Sequence, residues 1–241
     1  MKEIKVITLL CGFLAALAVN SSNAASVVIV ANGASTGPIF VTSGGGNIDL
    51  GTRLRVGTFL DATILNNTIS DYLSGSQSYA NTLLALNNNF ADLGTNVTNY
   101  GNASQTGTGI SSSQFVFNTT ATLTINGTSG TRNVANGQIQ NVNYTSSIGT
   151  SKNVYLWTAL NNEIGIVRGS SWTTPTSDLT GLTLNLSAIT ASSGVLLGNY
   201  TDYASGNDTI GLVAAVPEPS TGALMMIGAV GLVAMRRLRK V

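Results

Sequence analysis

Two short apolar segments, each with a basic flank, bound the chain and leave one stretch of about 192 residues to form a folded core. Lys2 and Lys5 precede the uncharged run Val6–Val19, and small residues follow that run. A basic start, an apolar run and small residues are typical of a secretory signal peptide. Residues 1–25 are therefore predicted to be removed by signal peptidase, with cleavage after Ala24 or Ala25. A retained anchor helix is the alternative.

Residues 216–241 have three parts in a fixed order. Pro217-Glu218-Pro219 is predicted to be extended, because proline fixes its own backbone angle and disfavours helix in the residue before it. Residues 220–235 are uncharged, and with Pro219 they reach the minimum of roughly 17 residues that a membrane-spanning helix needs. A basic tail follows over residues 236–241, with Arg236, Arg237, Arg239 and Lys240 as its cations.

The order of these parts predicts a transmembrane helix over residues 220–235. Under the positive-inside rule the basic tail stays in the cytoplasm and the rest of the chain lies outside. The alternative is an ordinary buried helix with a basic end, but the run lacks the amphipathic stripe that such a helix usually carries.

The C-terminal segment resembles the PEP-CTERM sorting signal of Gram-negative bacteria that make exopolysaccharide. Pro217, Glu218 and Pro219 match its motif, Gly222–Met235 matches its helix, and the arginines match its basic cluster. The resemblance implies recognition by an exosortase, a membrane-embedded cysteine transpeptidase-like protease that cuts near the motif. It also implies a precursor anchored in the inner membrane and a product at the cell surface or outside the cell. It leaves the activity of residues 26–215 open.

The composition of this ectodomain excludes several chemistries. The chain has no histidine, and its single cysteine, Cys11, lies inside the predicted signal peptide. Disulfide staples, histidine-based triads, thiol catalysis and typical zinc sites are therefore excluded. No cofactor, metal site or catalytic residue is predicted.

The ectodomain is weakly charged and slightly acidic. Between Ala25 and Val216, five arginine or lysine residues face eight aspartate or glutamate residues, a net charge of −3. Without a basic cluster, nucleic acid is not expected as a partner. Charged residues make up about 7% of this stretch, against about 25% in an average domain. Solubility must come from amides and hydroxyls, which is typical of secreted β-rich proteins and adhesins and suits contact with neutral glycans.

Most of the ectodomain shows the alternation of apolar and polar residues that indicates β-strands. Asn126-Gly127 and Asn161-Asn162 are typical of tight hairpin turns. Strands are predicted at Val27–Ala31, Pro38–Thr42, Arg53–Leu60, Gln114–Asn118, Ala121–Asn126, Val134–Asn143, Asn153–Ala159, Glu163–Arg168, Leu182–Leu186, Val195–Leu197 and Thr209–Ala214.

One region, about residues 62–94, has helical periodicity instead. Apolar residues recur there at spacings of three and four, with a break at Ser74-Gly75-Ser76 and a stop at Gly94. Asp61 or Thr63 is the candidate cap at the start. The apolar positions are Ala62, Leu65, Ile69, Tyr72, Leu83, Leu86, Phe90 and Leu93. The predicted fold is a β-rich α+β domain, an antiparallel sheet or sandwich with one helical region packed on it.

The remaining candidates for catalysis are weak. Asp202 and Asp208 are the only acidic residues close in sequence that could act as paired carboxylates in glycoside hydrolysis. Ser151 and Lys152 are neighbours, and neighbours on a strand point to opposite faces, so they make a poor dyad. The protein is not expected to be an enzyme, and a carboxylate-based glycan hydrolase is the second alternative.

A carbohydrate-binding module is the first alternative. Trp172 and Tyr203 are its candidate contacts, because aromatic rings stack on sugars, and the idea requires both rings to be exposed on one face. Trp157 is expected in the core. The stretch Gly206–Ile210 resembles one copy of a calcium-binding repeat, but such repeats bind by stacking several copies, so an ordinary turn is expected. The leading interpretation is an exported envelope or matrix protein with a structural or interaction role linked to exopolysaccharide and biofilm.

Overall fold

A computed structural model describes residues 25–30, 38–93, 115–142, 148–177, 180–189 and 192–216. Within these ranges the chain forms thirteen β-strands and two α-helices, which confirms the prediction of a β-rich α+β fold. The predicted transmembrane helix and basic tail lie outside the described residues, as does the predicted signal peptide except for Ala25. Among the described residues, no helix combines the length and apolar character needed to cross a bilayer.

The elements follow most of the predicted runs, with several differences. Phe90–Asp92 is a strand where helix was predicted, the strand that covers most of Val134–Asn143 begins already at Thr128, and Thr209–Ala214 divides into two strands. The runs predicted at Gln114–Asn118 and Ala121–Asn126 form one continuous strand, and the strand at Asn199–Thr201 lies outside the predicted runs. The helices are α1 Ala62–Ser74 and α2 Tyr79–Asn88. The strands are β1 Ala25–Val30, β2 Ile39–Val41, β3 Arg53–Phe59, β4 Phe90–Asp92, β5 Phe115–Ile125, β6 Thr128–Val142, β7 Tyr155–Leu160, β8 Glu163–Val167, β9 Leu182–Asn185, β10 Val195–Leu197, β11 Asn199–Thr201, β12 Thr209–Gly211 and β13 Val213–Ala214.

The main sheet has ten strands, eight of them in the order β10-β8-β7-β3-β5-β6-β1-β9. The central strand β3 pairs with β7 on one side and with both β5 and β4 on the other. At the edge, β8 pairs with β10 and, further along, with β13. A second sheet has the order β11-β12-β2. The predicted antiparallel arrangement is confirmed for most pairs; β1–β9 and β12–β2 are parallel.

Strand β7 separates two hydrophobic clusters, because all six of its residues are buried. Tyr155, Trp157 and Ala159 pack on the side of the two helices. Leu156 and Leu160 pack on the opposite side, with apolar residues of the second sheet and of β9. The helices therefore cover one side of β7, and the second sheet covers the other side together with β9, the far edge strand of the main sheet. Trp157 lies in the core, as predicted.

The helices begin and end at residues that cap their backbone hydrogen-bonding groups. The carboxylate of Asp61 accepts hydrogen bonds from the N–H groups of Thr63 and Ile64, so Asp61 is the cap of α1. Gly75 ends α1 in the left-handed region at φ 71°. Ser78 caps α2 through the N–H of Asn81.

The helical region ends earlier than predicted. Phe90 and Leu93 continue the helical spacing, but α2 stops at Asn88 and Phe90 starts β4, which pairs with β3. The side chain of Asn89 bonds both the N–H and the carbonyl of Asp61, at 2.8 and 2.7 Å. These bonds turn the chain beside the start of α1, so the prediction of helix up to residue 94 was wrong beyond Asn88.

A buried ion pair lies where β3, β4 and α2 meet. Arg55 is 4% exposed, and its Nε donates to Asp92 at 3.0 Å. Its guanidinium lies 4.8 Å from the ring centroids of both Phe90 and Trp157. A planar cation can stack on aromatic rings and bond a carboxylate at once. The short strand β4 thus brings the carboxylate that neutralises a charge in the helix-side core.

Candidate functional site: the base of the C-terminal segment

The C-terminal segment leaves the domain along β13, the final strand among the described residues. Val213 and Ala214 pair with Ile164 and Glu163 of β8. One residue later, the N–H of Ala215 donates to the carbonyl of Asn162 at 2.9 Å. Backbone hydrogen bonds therefore hold the chain as far as Ala215, beside the turn between β7 and β8.

The phenol of Tyr72 ties this exit strand to the helical layer. The ring is fully buried at the end of α1, and its oxygen lies 2.9 Å from the carbonyl oxygens of both Asn162 and Val213. Burial raises the pKa of Tyr72, and Tyr79 and Glu163 add to the effect. The phenol therefore stays neutral and remains a donor at neutral pH. We call this arrangement the Tyr72 latch.

Four pieces of chain form the surface around this point, which we call the exit face: Leu73, the turn at residues 74–76, the turn Asn161-Asn162, and Val216. Leu73 and Val216 are 49% and 45% exposed. A Cβ atom on Gly75 would lie 3.1 Å from Cγ1 of Val216, so the end of α1 touches the residue that precedes Pro217. The exit face therefore adjoins the point where the C-terminal segment begins.

The exit face contains no arginine or lysine, and the charged residues next to its two turns in the sequence, Asp71 and Glu163, are acidic. Asp71 lies one turn before Gly75 and is exposed. The carboxylate of Glu163 accepts hydrogen bonds from the N–H of Ser43, at 2.8 Å, and from the Ser43 hydroxyl. The electrostatic character of this end of the domain is therefore polar to weakly negative.

The structure removes Trp172 from the candidate glycan contacts. Trp172 is 2% exposed and packs in the core, with its ring against Gly169, where a Cβ atom would come within 2.6 Å of the indole. Its backbone carbonyl accepts from the N–H of Val154 at 2.9 Å, which fixes the loop to the strand. Tyr203 is half-buried in the loop before β12. The requirement that both rings be exposed on one face is not met, so a platform built on Trp172 was a wrong prediction.

The loop that holds Asp202 and Asp208 is organised as a turn. The carboxylate of Asp208 accepts from the hydroxyl of Tyr200 at 2.6 Å and from the N–H of Tyr203 at 3.0 Å. Gly206 has φ 98°, and a Cβ atom there would lie 2.2 Å from the carbonyl oxygen of Thr124. Across the described residues, no three acidic side chains form a group that could hold a metal ion.

Lys152 lines an open groove of about 300 Å³ near the start of α1. Leu60, Asn153 and Tyr155 are among the other residues of this groove, and Leu60 is 68% exposed. The backbone N–H of Lys152 donates to the hydroxyl of Thr174, and its carbonyl accepts from the Thr174 N–H, both at 2.8 Å. The backbone around Ser151 and Lys152 is thus held by the next loop, with both side chains exposed.

The Tyr72 latch was not among the sites predicted from the sequence. Tyr72 stood out only as one member of an apolar stripe, and its partners lie 90 and 141 residues away. One local signal was present: a tyrosine, which has a polar tip, was the last stripe residue before a helix-ending glycine. The predicted Asn161-Asn162 turn is confirmed, with φ values of 49° and 65°.

Comparison with known proteins finds a match at the C-terminal segment. The family model of the PEP-CTERM protein-sorting motif matches residues 215–240. No curated protein and no solved structure matches the chain. The match begins at Ala215, the residue whose N–H is bonded to Asn162. The sorting motif therefore starts inside the latched part of the chain, with no spacer between it and the folded domain.

Proposed function

We propose that this chain, which carries a PEP-CTERM protein-sorting motif at residues 215–240, is an exported structural or interaction protein of the bacterial envelope or extracellular matrix. The motif supports sorting by an exosortase and a membrane-anchored precursor that is processed to the cell surface. The observation that carries the proposal is the position of the motif, directly after the final strand of a folded β-rich domain.

The finer part of the proposal is contact with exopolysaccharide. The sparse charge of the ectodomain supports it, because a surface of amides and hydroxyls can exchange hydrogen bonds with sugar hydroxyls. The groove beside Lys152 supports it as well, since its mixture of apolar and polar residues resembles the lining of small-ligand sites. No catalytic role is part of the proposal.

The sorting proposal is tested by replacing Pro217, Glu218 and Pro219 with alanine in the full chain, expressed in a host that has an exosortase. Intact-mass spectrometry of the membrane and extracellular fractions then measures processing. The unaltered chain should yield a species that begins near Ala25 and ends near the motif. The triple variant should remain a precursor that retains the basic tail.

The matched control replaces Ser220 and Thr221, just beyond the motif, with alanine and should be processed normally. Equal processing of the triple variant and the unaltered chain would contradict the proposal. The same fractions test the proposed contact with exopolysaccharide. The mature protein should co-sediment with the polysaccharide and be released when the polysaccharide is digested. Free mature protein in the presence of intact polysaccharide would contradict that contact.

A further inference from the structure

We infer that the exit face is the surface of this domain on which the membrane-embedded processing enzyme rests while it acts on the C-terminal segment. The inference rests on the proposed function and adds the partner surface to it. Three observations carry it: the fixed position of the exit strand, the short reach of the chain beyond Val216, and the charge of the exit face.

The exit strand cannot move away from the domain without breaking buried contacts. Val213 and Ala214 are paired with β8, Ala215 is bonded to Asn162, and the buried phenol of Tyr72 bonds the carbonyl of Val213. The last fixed point before the motif is therefore Ala215, and Val216 already lies against Gly75.

The chain beyond Val216 is too short to carry the motif clear of the domain. Three residues lead from Val216 to Pro219, and an extended chain spans at most about 3.6 Å per residue, so Pro219 lies within about 11 Å of Val216. A specific protein contact buries about 800 Å² on each partner. An enzyme that grips this motif must therefore touch the domain, and the exit face is the surface within reach.

The charge of the exit face favours a protein over a lipid surface as the occupant. Anionic lipid headgroups attract clusters of lysine and arginine. The exit face has neither, and the charged residues next to its two turns in the sequence are Asp71 and Glu163. Exposed Leu73 and Val216 beside asparagine and serine side chains instead resemble the mixed apolar and polar surface of a protein interface.

The experiment places a charge on the exit face of the full chain and follows the rate at which the precursor is processed. Leu73→Arg and Leu73→Glu are compared with Ile64→Arg and Ile64→Glu. Ile64 is a matched control because it lies on the same helix and is 47% exposed, against 49% for Leu73. It lies near the start of the helix, about 13 Å from Leu73 along the helix axis. Both Leu73 variants should slow processing by about fivefold or more, the size of a moderate interface contact, and both Ile64 variants should match the unaltered chain.

A second pair of variants separates docking from misfolding. Ten glycine and serine residues are inserted between Val216 and Pro217, with and without Leu73→Arg. The insertion moves the motif away from the exit face, so Leu73→Arg should no longer slow processing. A Leu73→Arg variant that stays slow with the insertion would overturn the inference, because the defect would then lie in the domain itself.

The remaining outcomes distinguish the inference from the function on which it rests. If the alanine triple variant is processed normally, the sorting proposal fails. If that variant is blocked but the Leu73 and Ile64 variants are processed at the same rate, only the exit-face inference fails. If Leu73→Arg speeds processing while Leu73→Glu slows it, the exit face meets anionic lipid, and docking on the enzyme is overturned.

Discussion

At the scale of single residues, the hydroxyl of Tyr72 connects three parts of the molecule that are distant in sequence. It joins the end of α1 to the β7–β8 turn and to the exit strand, through the carbonyls of Asn162 and Val213. A hydrogen bond to a buried carbonyl contributes about 0.5–1.5 kcal/mol net, which the phenol adds to the packing of its ring.

We expect Tyr72→Phe to destabilise residues 25–216 by about 1–2 kcal/mol at pH 7. The carbonyl of Val213 loses the phenol as a donor, while the carbonyl of Asn162 keeps the N–H of Ala215 and the ring still packs. Burial raises the pKa of Tyr72 above its unfolded value of about 10. The stability that depends on its neutral phenol is therefore fully present below pH 10 and is lost as the pH rises above 10. The unaltered protein should lose up to about 1.4 kcal/mol per pH unit there through Tyr72, and the variant should lack this loss.

Urea unfolding followed by tryptophan fluorescence, between pH 7 and pH 11.5, checks this expectation. The free energies of unfolding of the two proteins should converge above pH 10. Parallel curves over the whole range would show that Tyr72 is not the titrating group. Tyr203→Phe removes the same single oxygen from a half-buried loop residue and should cost clearly less than Tyr72→Phe at pH 7.

Features set by neighbouring residues could be predicted from the sequence. The Asp61 cap, the break at Gly75 and the turns at Asn126-Gly127 and Asn161-Asn162 all follow from the conformational preferences of those residues. The Tyr72 latch and the burial of Trp172 could not be predicted, because they depend on which distant segments pack together.

At the scale of elements, β4 shows how tertiary pairing overrides periodicity. Phe90 fits the apolar stripe of a continuing helix and fits a strand equally well, so spacing alone could not decide between them. Pairing with β3 makes this segment a strand: Gly57 pairs with Asp92, and Phe59 pairs with Phe90. Gly57 permits this pairing, because a Cβ atom there would lie 2.1 Å from the carbonyl oxygen of Ala91.

Gly57→Ala should therefore push β4 away from β3. We expect a loss of about 1–3 kcal/mol or more in the free energy of unfolding, the usual cost of forcing an extra methyl group into a packed site. Displacing β4 also moves Asp92 away from the buried guanidinium of Arg55. Thermal and urea unfolding measure the change.

Gly130→Ala is the matched control for this substitution. Gly130 also lies in a strand, β6, but a Cβ atom there would meet nothing within 4 Å. Because alanine has less conformational freedom than glycine in the unfolded chain, the Gly130 variant should be unchanged or slightly more stable. Equal losses of unfolding free energy at the two positions would show that the close approach of β4 does not restrict the side chain at residue 57.

At the scale of the whole molecule, the fold depends on how the layers are stacked. The sequence indicated helices packed on a sheet, and that arrangement is present. The order of the strands could not be predicted, because alternation marks a strand without identifying its partner. The separate sheet β11-β12-β2 beneath β7 is the clearest case, since it joins Ile39–Val41 to Thr209–Gly211 across most of the chain.

This stacking places the last backbone pairing of the described residues at Ala215, which leads to a prediction about where the chain can be cut. A cut at residues 217–219 leaves β13 and the Tyr72 latch intact, so a chain that ends at Val216 should be as stable as the ectodomain of the uncut precursor. A chain that ends at Leu212 lacks the pairing of β13, the Ala215–Asn162 bond and one acceptor of Tyr72. At about 1 kcal/mol for each lost hydrogen bond, it should be about 2–4 kcal/mol less stable.

Calorimetry of chains that begin at Ala25 and end at Val216, Ala215 or Leu212 measures this effect. The first two should melt within a degree or so of each other, and the third should melt lower by about 2–4 °C for each kcal/mol lost, as is usual for a domain of this size. Equal melting temperatures for all three chains would place the end of the fold at Leu212. The sorting motif would then have a flexible spacer, and the processing enzyme could reach it without touching the domain. A clearly lower melting temperature for the chain that ends at Leu212 instead means that processing must occur close to the intact exit face.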